Sequence, residues 1–174
     1  MKTMDVSAHG ESRSAYIVVP QSVQDLKDFI IFQNRTSGDV DEMDDRSVII
    51  TEQLAEHLGV EPGESVAVET SDGGQVDLTV TQVVENYMLH YIYIAPTVYE
   101  EAFGEAPEYS MLLIRLTEEG RASQEEVGQE ALKHSAAYAI NYVSANKEQI
   151  ESMLGSLNIV IVVLILSAGL LAFV

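Results

Sequence analysis

The apolar positions divide the chain into a long mixed part and a uniformly apolar end. Short or alternating apolar runs predict β-strands at 15–19, 48–50, 66–84, 87–94, 111–116 and 138–143. Helical spacing predicts helices at 22–32, 51–58, 96–103 and 123–134. The turn Asp72-Gly73-Gly74 predicts a β-hairpin. We therefore expect an α+β fold with a central hairpin-rich region.

The apolar end has the length of a membrane-spanning helix. No charge occurs after Glu151, and residues 157–174 are apolar except for Asn158 and Ser167. About 20 such residues cross a bilayer as a helix, whereas a domain of this size cannot surround a helix that is apolar on every face. We predict a domain over 1–150 and a transmembrane helix over 151–174 in the lipid bilayer, continuous with a helix from Ser144. Because no interfacial anchor follows, we expect a longer membrane protein.

Composition excludes several classes of protein. The 174 residues include 9 Lys and Arg against 28 Asp and Glu, a net charge of −19, yet the mean hydropathy is +0.07. So acidic a surface repels phosphates, which excludes a nucleic-acid partner bound through a basic face. The absence of Cys excludes disulfides, thiol nucleophiles and Cys-ligated metals.

Candidate chemistry is sparse. His9, His57, His90 and His134 occur without HExxH spacing, and neither GxGxxG nor GxxxxGK[ST] is present. The acidic run at 39–45 could hold calcium, but it lacks the Gly and distal Glu of an EF-hand loop, so a solvated loop is favoured and cation binding stays open. We therefore predict no catalytic residue, no cofactor and no metal site.

Aromatic residues concentrate in one stretch between 87 and 109. Such density is typical of a binding surface, although a core and a hairpin edge are the commoner use. The candidate interaction surface consists of Tyr87, His90, Tyr91, Tyr93 and Tyr99.

Two segments carry a resemblance to a known family. Residues 48–65, VIITEQLAEHLGVEPGES, form a strand, a helix and an LGV turn, and residues 84–109 contain ENYMLHYIYIAPTVYEEAFGEAPEY. Both resemble extracellular domains of FtsX-like (MacB-type) ABC transporter permeases, in which the LGV turn begins a barrel strand. The residues that match in the second segment are Asn86, His90, Tyr91, Tyr93, Pro96, Tyr99 and Phe103. The apolar end resembles the first helix of the family's C-terminal membrane module.

The resemblance implies a mechanical role and not a catalytic one. It implies a barrel-like extracellular domain at the cell membrane and a separate ABC ATPase subunit that drives export or mechanical action. The extracellular partner would be a lipoprotein, a peptide or a cell-wall enzyme, and a homodimer stays open. Few Lys or Arg precede the apolar end, which also favours the outside. The alternatives are a binding or sensor module on a single membrane span and a membrane-anchored enzyme.

Overall fold

The chain forms two compact units, Met1–Arg115 and Leu116–Val174. The structure, a computed structural model, describes residues 1–135, 137–143, 155 and 160–168, so the first unit is described at every residue. This first unit combines a mixed seven-stranded sheet, a two-stranded ribbon and three helices. The α+β prediction is therefore confirmed.

The seven-stranded sheet has the order β7-β6-β1-β2-β9-β5-β8, and β3 and β4 form the separate ribbon. Two of its pairings, β2 with β9 and β5 with β8, are parallel, and the others are antiparallel. The strands in chain order are β1 (Lys2–Ala8), β2 (Glu11–Val18), β3 (Phe32–Gln33), β4 (Val40–Asp41), β5 (Val48–Thr51), β6 (Ser65–Glu69), β7 (Gln75–Thr79), β8 (Gln82–Val84) and β9 (Tyr91–Ile94).

The sheet curls because the chain passes from one of its edges to the other in two residues. Strands β7 and β8 lie at opposite edges, and only Val80 and Thr81 separate them. The amide of Thr81 donates to the carbonyl of Val48 at 2.8 Å. The Thr81 hydroxyl also accepts from the Val48 amide and donates to its carbonyl, both at 3.0 Å. This contact, the seam, extends the pairing of β5 with β8 and holds the short link from β7 against β5. The curled sheet is a half-barrel, which confirms the barrel-like prediction.

The inside of the half-barrel is the main hydrophobic core. Side chains alternate along each strand, so Ile92 and Ile94 of β9 are fully buried while Tyr91 and Tyr93 point to the other face. Each fully buried aliphatic side chain contributes roughly 1.5–3 kcal/mol. The core residues with no exposed surface are Val6, Ile50, Leu54, Val66, Val68, Val80, Ile92 and Ile94.

Three helices complete the first unit: α1 (Val23–Leu26), α2 (Glu52–Leu58) and α3 (Pro96–Phe103). Helix α2 ends at Gly59, which adopts the left-handed conformation with φ of 66°, and α3 begins at Pro96 and ends before Gly104, as predicted. The hydroxyl of Thr51 does not cap α2; it accepts from the amide of Tyr91 at 3.2 Å and so joins β5 to β9.

Several local predictions are wrong. The helix predicted over 22–32 is only the single turn α1, because Phe32 enters the ribbon strand β3. Strand β1 lies in a segment for which we predicted no element. It pairs with β2 through a turn at His9 and Gly10, whose φ values are 52° and 86°.

The second unit contains α4 (Glu118–Ala122) and α5 (Gln124–Leu132) among its described residues. The strand predicted at 111–116 and the one at 138–143 are both absent: residues 111–116 and 138–142 take no regular structure. Helix α5 confirms the helix predicted from residue 123, but Ser123 makes no capping hydrogen bond with its side chain.

The predicted transmembrane helix over 151–174 lies largely outside the described residues. Residues 160–168 of it are helical. Of the helices in the described part of the chain, none has both the length and the apolar character needed to cross a membrane. The helix predicted to run unbroken from Ser144 into this segment also lies mostly outside the described residues.

Candidate functional site

The loop from Glu85 to His90, called here the tip loop, connects β8 to β9 and holds a fixed shape. The Asn86 side chain donates to the carbonyl of Met88 at 3.0 Å and accepts from its amide at 3.3 Å. Such side chain–backbone bonds close an Asx-type turn. Leu89 has a φ of 64°, a conformation that costs a residue with a Cβ about 1–3 kcal/mol. The fold therefore maintains a strained loop at this point.

Arg35 contacts the tip loop through its guanidinium group. Its guanidinium pairs with Glu52 at 3.1 Å and Glu85 at 3.6 Å, and it lies 5.2 Å from the centre of the Tyr87 ring. The Tyr87 hydroxyl donates to the Glu85 carboxylate, and this bond is the main cause that raises the pKa of Tyr87. These contacts join the ribbon, the start of α2 and the tip loop in one polar network.

The tip loop also exposes large apolar side chains to solvent. Tyr87 is 70% exposed, Met88 62% and Leu89 52%. Three consecutive large apolar residues at the end of a rigid loop are more than the scattered exposed side chains of an ordinary surface. The arrangement suits contact with another molecule.

Two histidines, His57 and His90, lie in contact at the end of the tip loop, although no spacing in the sequence predicts that they pair. The rings of His57 on α2 and His90 lie 5.3 Å apart, edge to face. His57 Nδ1 contacts the carbonyl of Gln53 at 2.6 Å, and the buried His90 Nδ1 has no hydrogen-bond partner. Burial, and then the nearby His57 and Arg13, lower the pKa of His90, so its neutral form is favoured.

The histidine pair has no third ligand for a metal. Over residues 1–135, 137–143, 155 and 160–168, no group of three or more His, Asp or Glu side chains is placed to hold an ion. His134 belongs to the second unit.

Tyr91 and Tyr93 belong to an aromatic row on the outer face of the half-barrel. Ring centres are separated by 5.5 Å from Tyr16 to Tyr91, by 5.9 Å from Tyr91 to Tyr93, and by 4.9 Å from Tyr93 to Phe32. Burial raises the pKa of Tyr93 to about 12, with a smaller contribution from Tyr91. At one end of the row Phe32 is buried, and at the other end Tyr16 is partly exposed to solvent.

Tyr99 does not lie with the other four predicted residues. It is 9% exposed and stacks on Phe103 at 4.4 Å inside the main core. The sequence analysis placed Tyr99 with the other four residues because it is close to them in the chain. Tyr99 and Phe103 are four residues apart on one helix, which indicates that both lie on the same buried face of that helix. The residues that sequence reasoning missed are Tyr16, Arg35, His57, Met88 and Leu89, and only the unbroken run 87–89 offered a signal.

The chain was compared with family models, with curated proteins and with solved structures. No family model matches the chain, and no curated protein sequence matches it. The chain is similar to a crystal structure described as the extracellular domain of the noncanonic ABC-type transporter YknZ from Gram-positive bacteria. The TM-score is 0.47 at 21% identity, over 81% of this chain and 77% of that one.

Proposed function

We propose that the first unit is the extracellular domain of an FtsX-like ABC transporter permease at the cell membrane. The sequence motifs at 48–65 and 84–109 support it, and one geometric observation carries it. The backbone nitrogen of Met1 lies 3.1 Å from the Ser110 hydroxyl oxygen, so the two ends of the unit are adjacent. A domain inserted between two membrane segments needs its ends together.

The tip loop leaves the sheet in the direction opposite to these ends. Strand β1 runs antiparallel to β2, and β2 runs parallel to β9, so β1 begins at the end of the sheet where β9 finishes. The tip loop precedes β9 and therefore belongs to the opposite end. In a membrane-inserted domain this end faces away from the bilayer, where an extracellular lipoprotein, peptide or cell-wall partner would bind.

The mechanism that follows is mechanical. A separate ATPase subunit hydrolyses ATP and moves the membrane helices, and the half-barrel transmits that motion as one body because its seven strands form one continuous hydrogen-bonded sheet. The tip loop then acts on the partner. No step requires a nucleophile or a cofactor in this domain.

The transporter function is tested on the complete coding sequence that contains this chain, expressed with any ATPase gene beside it. We expect further hydrophobic segments in that sequence and co-purification of an active ATPase through a tag on the permease. A coding sequence that ends near Val174, with no ATPase in the purified material, contradicts the proposal and favours the single-span binding module.

The role of the tip loop is tested by a matched pair of triple variants in the same complete protein. Y87S/M88S/L89G removes the exposed apolar side chains of the tip loop and its left-handed strain. Y109S/M111S/L112S removes equally exposed apolar side chains elsewhere in the first unit. We expect loss of transport or partner capture only for the first variant. Equal activity of the two variants would show that the tip loop is not the docking surface.

A further inference from the structure

A groove separates the segment around α1 from strand β4 and the loop after it. The groove has a volume of about 490 Å³, within the range of ligand sites in proteins. Its floor is apolar, because Val23, Phe32 and Met43 pack there as part of a second, smaller core. At its mouth Ile31 is 72% exposed and Val40 is 61% exposed. The groove therefore offers apolar surface that the domain itself does not cover.

Carboxylates surround this apolar floor. Asp28, Asp41 and Asp45 line the groove, and in the first unit their side chains make no hydrogen bond or ion pair. The one basic residue on the groove, Lys27, lies 3.8 Å from Glu42. Negative charge in a partly enclosed site attracts cations more strongly than the same charge on a flat surface.

One further carboxylate of the groove, Asp44, has a structural task. It accepts from the Ser47 hydroxyl at 2.7 Å and from the Arg46 amide at 2.9 Å, and these bonds lower the pKa of Asp44. Asp44 thus fixes the loop that carries Asp41 and Asp45. The described residues contain no set of three ligands for a metal ion, so the charge is spread along the groove and not focused on one point.

Both residues of the short strand β4, Val40 and Asp41, line the groove. Strand β4 pairs only with β3, so its other edge has no strand beside it. An extended peptide can add to such an edge by main-chain hydrogen bonds, while its alternate side chains enter pockets. Charge, apolar floor and open edge together specify one kind of ligand.

We propose that this groove binds an extended basic peptide segment in which Lys or Arg alternates with apolar residues. The apolar side chains lie on Phe32 and Met43, and the cationic side chains pair with Asp28, Asp41 and Asp45. The net charge of −19 draws such a peptide to the protein from a distance. A small neutral ligand would leave these carboxylates without counter-charges.

The test measures peptide binding to the purified 174-residue chain in a non-ionic detergent, without any ATPase, so its result is independent of the transporter function. The probes are fluorescent peptides of alternating Lys and Leu, of Lys and Ser, and of Glu and Leu. We expect measurable binding of the Lys–Leu peptide, at least tenfold weaker binding of the Lys–Ser peptide, and none of the Glu–Leu peptide.

Matched variants locate the binding. D28N/D41N/D45N removes three charges from the groove, and E56Q/E69Q/E108Q removes three exposed charges elsewhere. Because each exposed ion pair contributes a few-fold in affinity, we expect about tenfold weaker binding for the groove variant and less than twofold for the control. I31S/V40T, which changes only exposed side chains, should weaken binding several-fold. Equal weakening by both charge variants, or no binding of the Lys–Leu peptide to the wild type, overturns the proposal.

Discussion

The seam between Thr81 and Val48 gives the sharpest test of the half-barrel. The substitution T81V keeps the shape of the side chain and the backbone bond from residue 81, which is 2.8 Å long. It removes both hydroxyl bonds to Val48, each 3.0 Å long. A typical hydrogen bond contributes about 0.5–1.5 kcal/mol net, so the free energy of unfolding should fall by about 1–3 kcal/mol.

The assay is urea unfolding followed by tyrosine fluorescence, since the chain has 8 Tyr and no Trp. With an m-value of about 2 kcal/mol/M, the midpoint should fall by about 0.5–1.5 M. The matched control is T79V, because the exposed Thr79 hydroxyl makes only a long contact of 3.4 Å to Ser65. A T81V midpoint equal to that of T79V would show that the seam does not stabilise the sheet.

Three further predictions concern the core, the aromatic row and the tip loop. I92A empties a fully buried position of β9 and should cost about 2–5 kcal/mol in thermal or urea unfolding. The pKa of Tyr93 rises to about 12 in the fold from a usual value near 10. The contribution of Tyr93 to the free energy of unfolding should therefore be constant below about pH 10 and fall by roughly 2–3 kcal/mol as the pH rises towards 12. The substitution Y93F should abolish this decrease, which is measured as the difference in unfolding free energy between pH 9 and pH 11.5 in the variant and in the wild type. R35A breaks two half-exposed ion pairs, so the free energy of unfolding should change by less than about 1 kcal/mol. Hydrogen exchange of the backbone amides in the tip loop should become faster, and an unchanged exchange rate would show that Arg35 does not stabilise that loop.

The sequence predicted those elements whose local signals agree with their surroundings. Helix α3 has Pro96 at its start and Gly104 after its end, and β5 is a short β-branched run, so both were located to within a residue. Residues 111–116 are as apolar as a buried strand, yet they take no regular structure, so an apolar run alone does not make a strand. Strand β1 shows the reverse: with only Met4 and Val6 buried among polar neighbours, it is a strand because β2 and β6 flank it.

The candidate surface was predictable only in part. Tyr91 and Tyr93 alternate with Ile92 and Ile94, so their common face follows from the strand period. Their contact with Phe32, and the support of Tyr87 by Arg35, depend on a ribbon about 50 residues earlier in the chain, and no local pattern announces such pairing. Packing between distant segments likewise brought His57 to His90.

The location of the first unit outside the cell is the claim on which the proposed function depends. Because these 174 residues contain no Cys, the substitution E108C at the exposed Glu108 gives this part of the protein one reactive thiol, and the complete protein without the substitution serves as the labelling control. In intact cells that express the complete protein, a membrane-impermeant maleimide should label this cysteine as fully as it does after the cells are permeabilised. Labelling that occurs only after permeabilisation would place the domain inside the cell and contradict the account.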